Sequence, residues 1–163
     1  MRKADFRALH KMIEFMKGDL RHCIGADANW VVALALVTYT EVFGHFLLPK
    51  GNNPDCFNRF LSEWMKYPHL VDKNNPGDLY DRVRNGLVHE YLIKKSSSVI
   101  NMGTGPCGIE IIKGRKGETV RLNLVTYYND FMEAVKEYER KIKTDPLLQK
   151  AYDQRMTGKQ RLE

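Results

Sequence analysis

Residues 30–48 read WVVALALVTYTEVFGHFLL, and this stretch decides the fold because it is apolar on nearly every side of a helix. Pro49 follows and ends the helix. A helix of this kind lies either in a protein core or in a membrane. Glu41 and His45 fall inside it and would be costly in hydrocarbon. We therefore predict the central helix of a bundle and not a membrane span.

Apolar residues recur at steps of three and four on both sides of this central helix, which predicts amphipathic helices that cover it. Phe6, Leu9 and Ile13 illustrate the spacing near the start of the chain. Thr126 is placed to cap the start of the penultimate helix. The predicted amphipathic helices cover about 3–23, 57–65, 79–92, 126–142 and 145–158.

The apolar period changes from helical to alternating between about 108 and 124. Ile109 and Ile111 alternate with polar neighbours, and the run around Val120 does the same. A turn that contains glycines separates the two runs. The segment therefore predicts a β-hairpin, and a short strand around 99–102 is a candidate third member of the sheet.

Together these elements predict a mainly α fold, an up-and-down helical bundle with a β-hairpin inserted before the penultimate helix. The length of 163 residues fits one hydrophobic core. We expect a single domain over residues 1–158, with the hairpin insertion at about 98–125 and a frayed tail at 159–163.

Composition and charge are those of an ordinary globular protein, with 43% hydrophobic residues. The formal net charge of +6 favours anionic partners such as RNA or an acidic protein. Cys23, Cys56 and Cys107 lie far apart and lack the spacing of a zinc site or a disulfide framework. The first residues do not resemble a secretory signal. We therefore predict a cytoplasmic protein that does not cross a membrane.

The predicted helix at residues 79–92 has the most informative sequence, LYDRVRNGLVHEYL. Four residues at helical spacing form one apolar stripe on it, namely Leu79, Val83, Leu87 and Tyr91. Arg84 lies at the edge of this stripe. A guanidinium in that place must reach water or meet an anion, because stranding its charge in a core is costly.

Two further polar residues follow Arg84 on the same predicted helix. Asn85 and His89 are four residues apart and share a face, so the amide is placed to orient the imidazole. Arg84 and His89 are five residues apart, which is about 140° around an α-helix. We expect their side chains to diverge within one straight α-helix. Convergence then requires a break near Gly86 or a second subunit.

The run RNGLVH at residues 84–89 resembles the motif of the HEPN superfamily (higher eukaryotes and prokaryotes nucleotide-binding domains), which is an arginine, a polar residue, three residues and a histidine. The resemblance covers the chain from its first helix to the helix that begins near Thr126. It implies a helical bundle. It also implies a ribonuclease, since many members are metal-independent endoribonucleases with an active site shared across a homodimer.

On this resemblance, RNA is cleaved when a 2′-hydroxyl attacks the adjacent phosphodiester. His89 acts as general base or acid, since an imidazole titrates near neutral pH. Arg84 holds the scissile phosphate and stabilises the extra charge of the transition state. Asn85 orients His89 or contacts the same phosphate. The scheme requires neither a metal nor a cofactor.

Arg84, His89 and Tyr91 also resemble the arginine, four residues, histidine, any residue, tyrosine form of toxins in pairs of HEPN and minimal nucleotidyltransferase proteins. In such toxins the tyrosine can be adenylylated, which implies Tyr91 as a modification site, a nucleotidyltransferase or antitoxin as partner, and a role in toxin–antitoxin or phage defence systems. Tyr91 also lies on the apolar stripe, which favours a buried core tyrosine instead. The predicted hairpin departs from those compact toxins.

A structural role is the alternative for the same residues. Arg84 then pairs with Glu41 on the central helix, and His89 lies on the surface at a helix end, where the helix dipole favours its protonated form. Glu41 otherwise pairs with His45, one turn along the same helix. On this alternative the chain is a non-catalytic HEPN-like bundle that binds RNA, a nucleotide or a protein partner.

Basic residues outside the motif are candidates for contacts with an RNA backbone. They are Lys94 and Lys95 after the motif helix, and Lys113, Arg115 and Lys116 in the hairpin turn. Solvated turn side chains without a ligand are the alternative. The chain has no closely paired cysteines and no His-Glu-x-x-His run, so no metal site is predicted.

Overall fold

The computed structural model describes residues 6–72, 74–75, 77–91, 93–94 and 97–157. The α-helices are α1 (Arg7–Gly25), α2 (Asn29–Leu47), α3 (Asn53–Arg59), α4 (Leu124–Lys141) and α5 (Pro146–Thr157). Three other helical segments are a π-helical turn at Phe60–Trp64, a 3-10 turn at Pro68–Leu70 and a π-helix at Tyr80–Glu90. The strands are β1 (Ser97–Asn101), β2 (Ile109–Gly114) and β3 (Gly117–Asn123).

This arrangement confirms the predicted mainly α fold with a hairpin inserted before the penultimate helix. Helix α2 lies at the centre, and every other α-helix and the π-helix contacts it or a helix packed on it. Its core positions are fully covered, as Leu36 and Phe43 illustrate. By length and hydropathy α2 is the one described helix that would suit a membrane, yet most of its apolar window is buried inside the protein. That burial is compatible with the core helix of a soluble protein.

The sheet has three strands in the order β1-β3-β2. β2 and β3 form the predicted antiparallel hairpin, and its turn closes at the pair Gly114 and Gly117. Gly117 has a φ of 122°, a backbone conformation that side chains other than glycine rarely adopt. β1 pairs with β3 in parallel, so the candidate strand around 99–102 exists and begins slightly earlier.

Two polar contacts fasten the sheet to the helices. Arg82, at the start of the π-helix, donates from Nη1 to Glu118 Oε2 on β3 at 2.9 Å. The Tyr67 hydroxyl donates to Asp130 on α4 and accepts the backbone N–H of Gly108 at 2.7 Å. The hairpin is therefore bonded to the bundle at both ends of β2 and β3 and does not project as a separate arm.

Helix α4 begins at Leu124, two residues before the predicted cap. The Thr126 hydroxyl instead accepts the backbone N–H of Gly105 at 3.0 Å, which fixes the loop before β2. A difference of this size is common at helix ends, where the first turn is irregular. The predicted tail at 159–163 lies outside the described residues.

Candidate functional site

The helix that carries Arg84, Asn85 and His89 is wound as a π-helix over Tyr80–Glu90. A π-helix bonds each N–H to the carbonyl five residues earlier, so residues five apart lie one turn apart on the same side. The expectation that positions 84 and 89 diverge was made for a straight α-helix, and this helix is wound differently. The π-helical winding places positions 84 and 89 about one turn apart along the helix, with Arg84 largely covered and His89 exposed.

The π-helix ends at Tyr91, which adopts a left-handed φ of 57° and bonds its N–H to the carbonyl of Gly86. The residues of the predicted stripe at 79, 83 and 87 are buried, but Tyr91 is 52% exposed. The expectation of a core tyrosine is therefore wrong. The left-handed turn redirects the chain, and the ring stacks on Trp30 of α2 with centroids 5.2 Å apart and planes 19° apart.

Arg84 points toward α2 and contacts Glu41. Of the two predicted alternatives for the guanidinium, water or an anion, the structure has the anion. Its Nε lies 2.5 Å from Glu41 Oε2, and the two side chains are only 15% and 10% exposed. The contact is an ion pair without a linear hydrogen bond from Nε. The guanidinium carbon also lies 5.5 Å from the centre of the Tyr80 ring, a cation–π distance.

Glu41 is held by three side chains from two helices. Tyr80 donates its hydroxyl hydrogen to Oε2 at 2.9 Å, while His45 Nε2 lies 3.9 Å from Oε1. Burial, followed by the bond to Glu41, raises the pKa of Tyr80 to about 12. The phenol is thus a hydrogen-bond donor at neutral pH. Both predicted partners of Glu41, Arg84 and His45, are present, and the arginine is the closer one.

A second cluster of polar side chains joins His45 to α3. His45 Nε2 lies 3.1 Å from Asn53 Oδ1, and His45 Nδ1 lies 3.2 Å from the Cys56 sulfur. Burial raises the pKa of the Cys56 thiol to about 11, although Arg155 acts against it. A fully covered and protonated thiol is a poor nucleophile. This cluster therefore packs α3 against α2 and supports Glu41.

Asn85 and His89 do not form the pair that their spacing predicts. The Asn85 carbonyl oxygen accepts a hydrogen bond from Arg84 Nη1 at 3.3 Å. His89 is exposed near the end of the π-helix, and among the described residues no side chain bonds to its ring. Asn85 therefore helps to hold Arg84, whereas the imidazole is open to solvent and to a ligand.

The predicted phosphate-contacting residues fall into separate groups. Lys94 is paired with Glu90 at 3.0 Å and with Asp81 at 3.6 Å, so its charge is largely neutralised. Three others, Lys113, Arg115 and Lys116, are exposed on the hairpin turn. Lys95 lies outside the described residues. No contact joins the hairpin turn to Arg84 in the part of the chain that the structure describes.

Three residues at or near the site were missed from the sequence. Tyr80 was not among the candidate residues, although its hydroxyl reaches Glu41. Arg82 is 6% exposed and bonds to Asp78 and Glu118. Its spacing of four from Asp78 was the available signal. Trp30 was predicted only as the start of the central helix, and nothing in the sequence pointed to its stacking on Tyr91.

Within the described ranges, no group of three His, Cys, Asp or Glu side chains is arranged to hold a metal ion. Arg84, Glu41, Tyr80 and Asn85 instead form a polar cluster between the π-helix and α2, and His89 is exposed on the same π-helix. Comparison of the chain with protein-family models, with curated proteins and with solved structures finds no match.

Proposed function

We propose that this chain is a HEPN-type endoribonuclease that cleaves RNA through Arg84 and His89 without a metal. The π-helical winding of Tyr80–Glu90 carries the proposal, because it sets positions 84 and 89 one turn apart on one side of a helix. Catalysis of phosphodiester cleavage needs a group that binds the anion and a group that transfers a proton, and the two must lie near each other. An α-helix with the same sequence would separate them.

Arg84 keeps one edge for a phosphate oxygen. Glu41 engages Nε and Asn85 engages Nη1, whereas no side chain in the described ranges accepts a hydrogen bond from Nη2. The Tyr80 ring supports the plane of the guanidinium. The group is thus oriented before a substrate arrives, which lowers the cost of reaching the transition state. A phosphate oxygen at Nη2 would form a charge-assisted hydrogen bond.

In the proposed reaction the 2′-oxygen forms a bond to phosphorus and the bond from phosphorus to the 5′-oxygen breaks. Neutral His89 accepts the proton of the 2′-hydroxyl. A protonated His89 from a second copy of the chain donates a proton to the leaving 5′-oxygen. Arg84 stabilises the additional negative charge on the non-bridging oxygens. The products are a 2′,3′-cyclic phosphate and a 5′-hydroxyl.

The second copy enters through the resemblance alone. The argument for it from helix geometry assumed an α-helix and does not apply to a π-helix. A homodimer, a cytoplasmic location, a toxin–antitoxin or phage-defence role and a nucleotidyltransferase or antitoxin partner are parts of the same proposal. Mixing wild-type chains with an excess of chains that carry His89→Ala tests the dimer, since a reaction that needs His89 from both copies loses activity as mixed dimers form.

The reaction chemistry has a direct test. Purified protein is incubated with RNA in EDTA, and the product ends are identified by mass spectrometry. We expect 2′,3′-cyclic phosphate ends, and no cutting of the same oligonucleotide with 2′-deoxyribose throughout. Cleavage of the deoxy oligonucleotide, or 3′-hydroxyl ends on the products, would rule out attack by the 2′-hydroxyl.

The buried pair of Arg84 and Glu41 favours a second candidate function, a non-catalytic bundle that binds RNA, a nucleotide or a protein. An arginine already neutralised by a carboxylate is a common structural arrangement. In this case Arg84→Ala weakens binding or folding, and the wild-type chain shows no turnover. A salt titration separates the ligands, because affinity for RNA falls steeply as ionic strength rises, whereas affinity for an apolar protein surface does not.

A further inference from the structure

Tyr91 and Trp30 form an exposed aromatic pair at the end of the π-helix. Their rings are nearly parallel, with centroids 5.2 Å apart. Trp30 covers one face of the tyrosine ring. Because the residue is nevertheless 52% exposed, the opposite face is open to solvent. The pair thus presents one flat aromatic surface, the open face of Tyr91, and the stacked Trp30 ring fixes the orientation of that face.

The backbone at Tyr91 adds an independent observation. Its φ of 57° is a genuine outlier for a bulky residue, and glycine would occupy the position at lower cost. Unfavourable backbone conformations of this kind cluster at sites of ligand contact and catalysis. A residue that only ended the helix would not need a large ring here.

The position of the ring relates it to the candidate site. Tyr91 follows His89 by two residues, and both side chains are exposed. Val31 and Val88 nearby in sequence to the aromatic pair are also exposed apolar residues, at 46% and 36%. The exposed ring of Tyr91 suits the face of a base.

We propose that the open face of Tyr91 binds a nucleobase of the RNA next to the phosphate held by Arg84, an assignment that rests on the proposed ribonuclease function. Every base has an aromatic face, so stacking accepts any base. The bases of a duplex already stack on their neighbours, so the ring can receive only an unpaired one. The substrate class is then single-stranded or looped RNA, with little preference for sequence at this position.

The experiment measures binding by the His89→Ala protein, in which the RNA stays intact. Tyr91→Gly removes the ring at a position where glycine fits the backbone, so this variant keeps its fold. Tyr91→Phe is the matched control that keeps the aromatic face. The RNA is a short unpaired oligonucleotide, used intact and as a series with one abasic nucleotide at each position. Dissociation constants are measured for every combination, and sedimentation reports the oligomeric state.

We expect Tyr91→Gly to weaken binding roughly tenfold, the usual effect of losing one stacked base, and Tyr91→Phe to bind like the parent. One abasic position should cause a similar loss in the parent and none in Tyr91→Gly, since both changes remove the same contact. Equal affinities, independent losses or no RNA binding would overturn the assignment. So would a change of oligomeric state in Tyr91→Gly, which would place the ring between two copies. If the abasic nucleotide and Tyr91→Gly remove the same contact but the wild-type protein does not cleave RNA, only the proposed reaction would be overturned.

Discussion

Glu41 balances the charge of Arg84 inside the bundle. The pair is largely shielded from water, so each charge depends on the other. Tyr80 fixes the same carboxylate from a second direction. Burying an unpaired guanidinium at this depth would cost folding free energy. For this reason the sequence predicts that Arg84 reaches water or meets an anion. The structure shows that the protein itself supplies this anion, the carboxylate of Glu41.

Glu41→Gln should lower the free energy of unfolding by roughly 3 kcal/mol, because it leaves Arg84 without its counter-charge. Glu63→Gln is the matched control, since Glu63 pairs with Arg59 at 2.7 Å on the surface. We expect a loss below about 1 kcal/mol there. Urea denaturation measures both. A loss for Glu41→Gln no larger than that of the control would show that the pair contributes little.

The Cys56 thiol should be the least reactive of the three. Burial raises its pKa to about 11, so at pH 8 its thiolate fraction is roughly a hundredfold below that of an ordinary thiol. As pH rises from about 9 to about 11 the unfolded chain loses this proton first, and the folded state therefore loses stability. Mass spectrometry after iodoacetamide treatment measures the order of reaction. Labelling of Cys56 as fast as that of Cys23 would contradict the buried cluster around His45.

Residue-level predictions succeeded where a residue's chemistry limited its surroundings. Arg84 needed an anion, and Glu41 is the single carboxylate in the sequence of α2. The prediction that Tyr91 is buried was wrong because it rested on helical spacing, and the helix ends at this residue. The exposed ring depends on one left-handed φ, which nothing in the local sequence announces.

At the scale of elements, close approach between α2 and α3 depends on Gly44. A Cβ at this position would lie 1.9 Å from the carbonyl oxygen of Cys56. Gly44→Ala should therefore cost about 3 kcal/mol of stability, since the helices must separate. Gly18→Ala is the control, because a Cβ there meets nothing within 4 Å, and it should stabilise α1 by about 0.5 to 1 kcal/mol. Effects of the same sign would contradict the packing of α3 on α2.

The attachment of the hairpin depends on the Tyr67 hydroxyl, which joins Gly108 to α4. Tyr67→Phe leaves the buried N–H of Gly108 without its acceptor and should cost about 1 to 3 kcal/mol. Amide exchange at Gly108 should also accelerate. Tyr128→Phe is the control, because its hydroxyl accepts only an exposed bond from Arg21, and its effect should stay below about 0.5 kcal/mol. Unchanged exchange at Gly108 would refute this role.

The order of helices and strands was predictable because each has a clear apolar period. The winding of the π-helix was not. Buried residues at 79, 83 and 87 agree with either an α-helix or a π-helix, since a spacing of four lies between the two periods. The difference changes which residues share a side, and therefore changes the site. Contacts over long separations, such as Arg82 with Glu118, contribute to this geometry and have no local signal.

At the scale of the whole molecule, the site helix is held along its length. Arg82 bonds it to the sheet at its start, Arg84 bonds it to α2 in the middle, and Tyr91 stacks on α2 at its end. A helix fixed at three points presents its side chains in one arrangement. The formal charge of +6 favours the approach of a polyanion to the protein as a whole.

The rate of RNA cleavage in EDTA by three proteins tests the central claim most directly. They are the wild-type chain, His89→Ala and His10→Ala. His10 is the control because it is an exposed histidine on α1, where it pairs with Glu139 of α4 and not with any residue of the π-helix. We predict that wild type and His10→Ala cut at the same rate and that His89→Ala loses the activity. Cutting by His89→Ala at the wild-type rate would contradict the account, and so would intact RNA with all three.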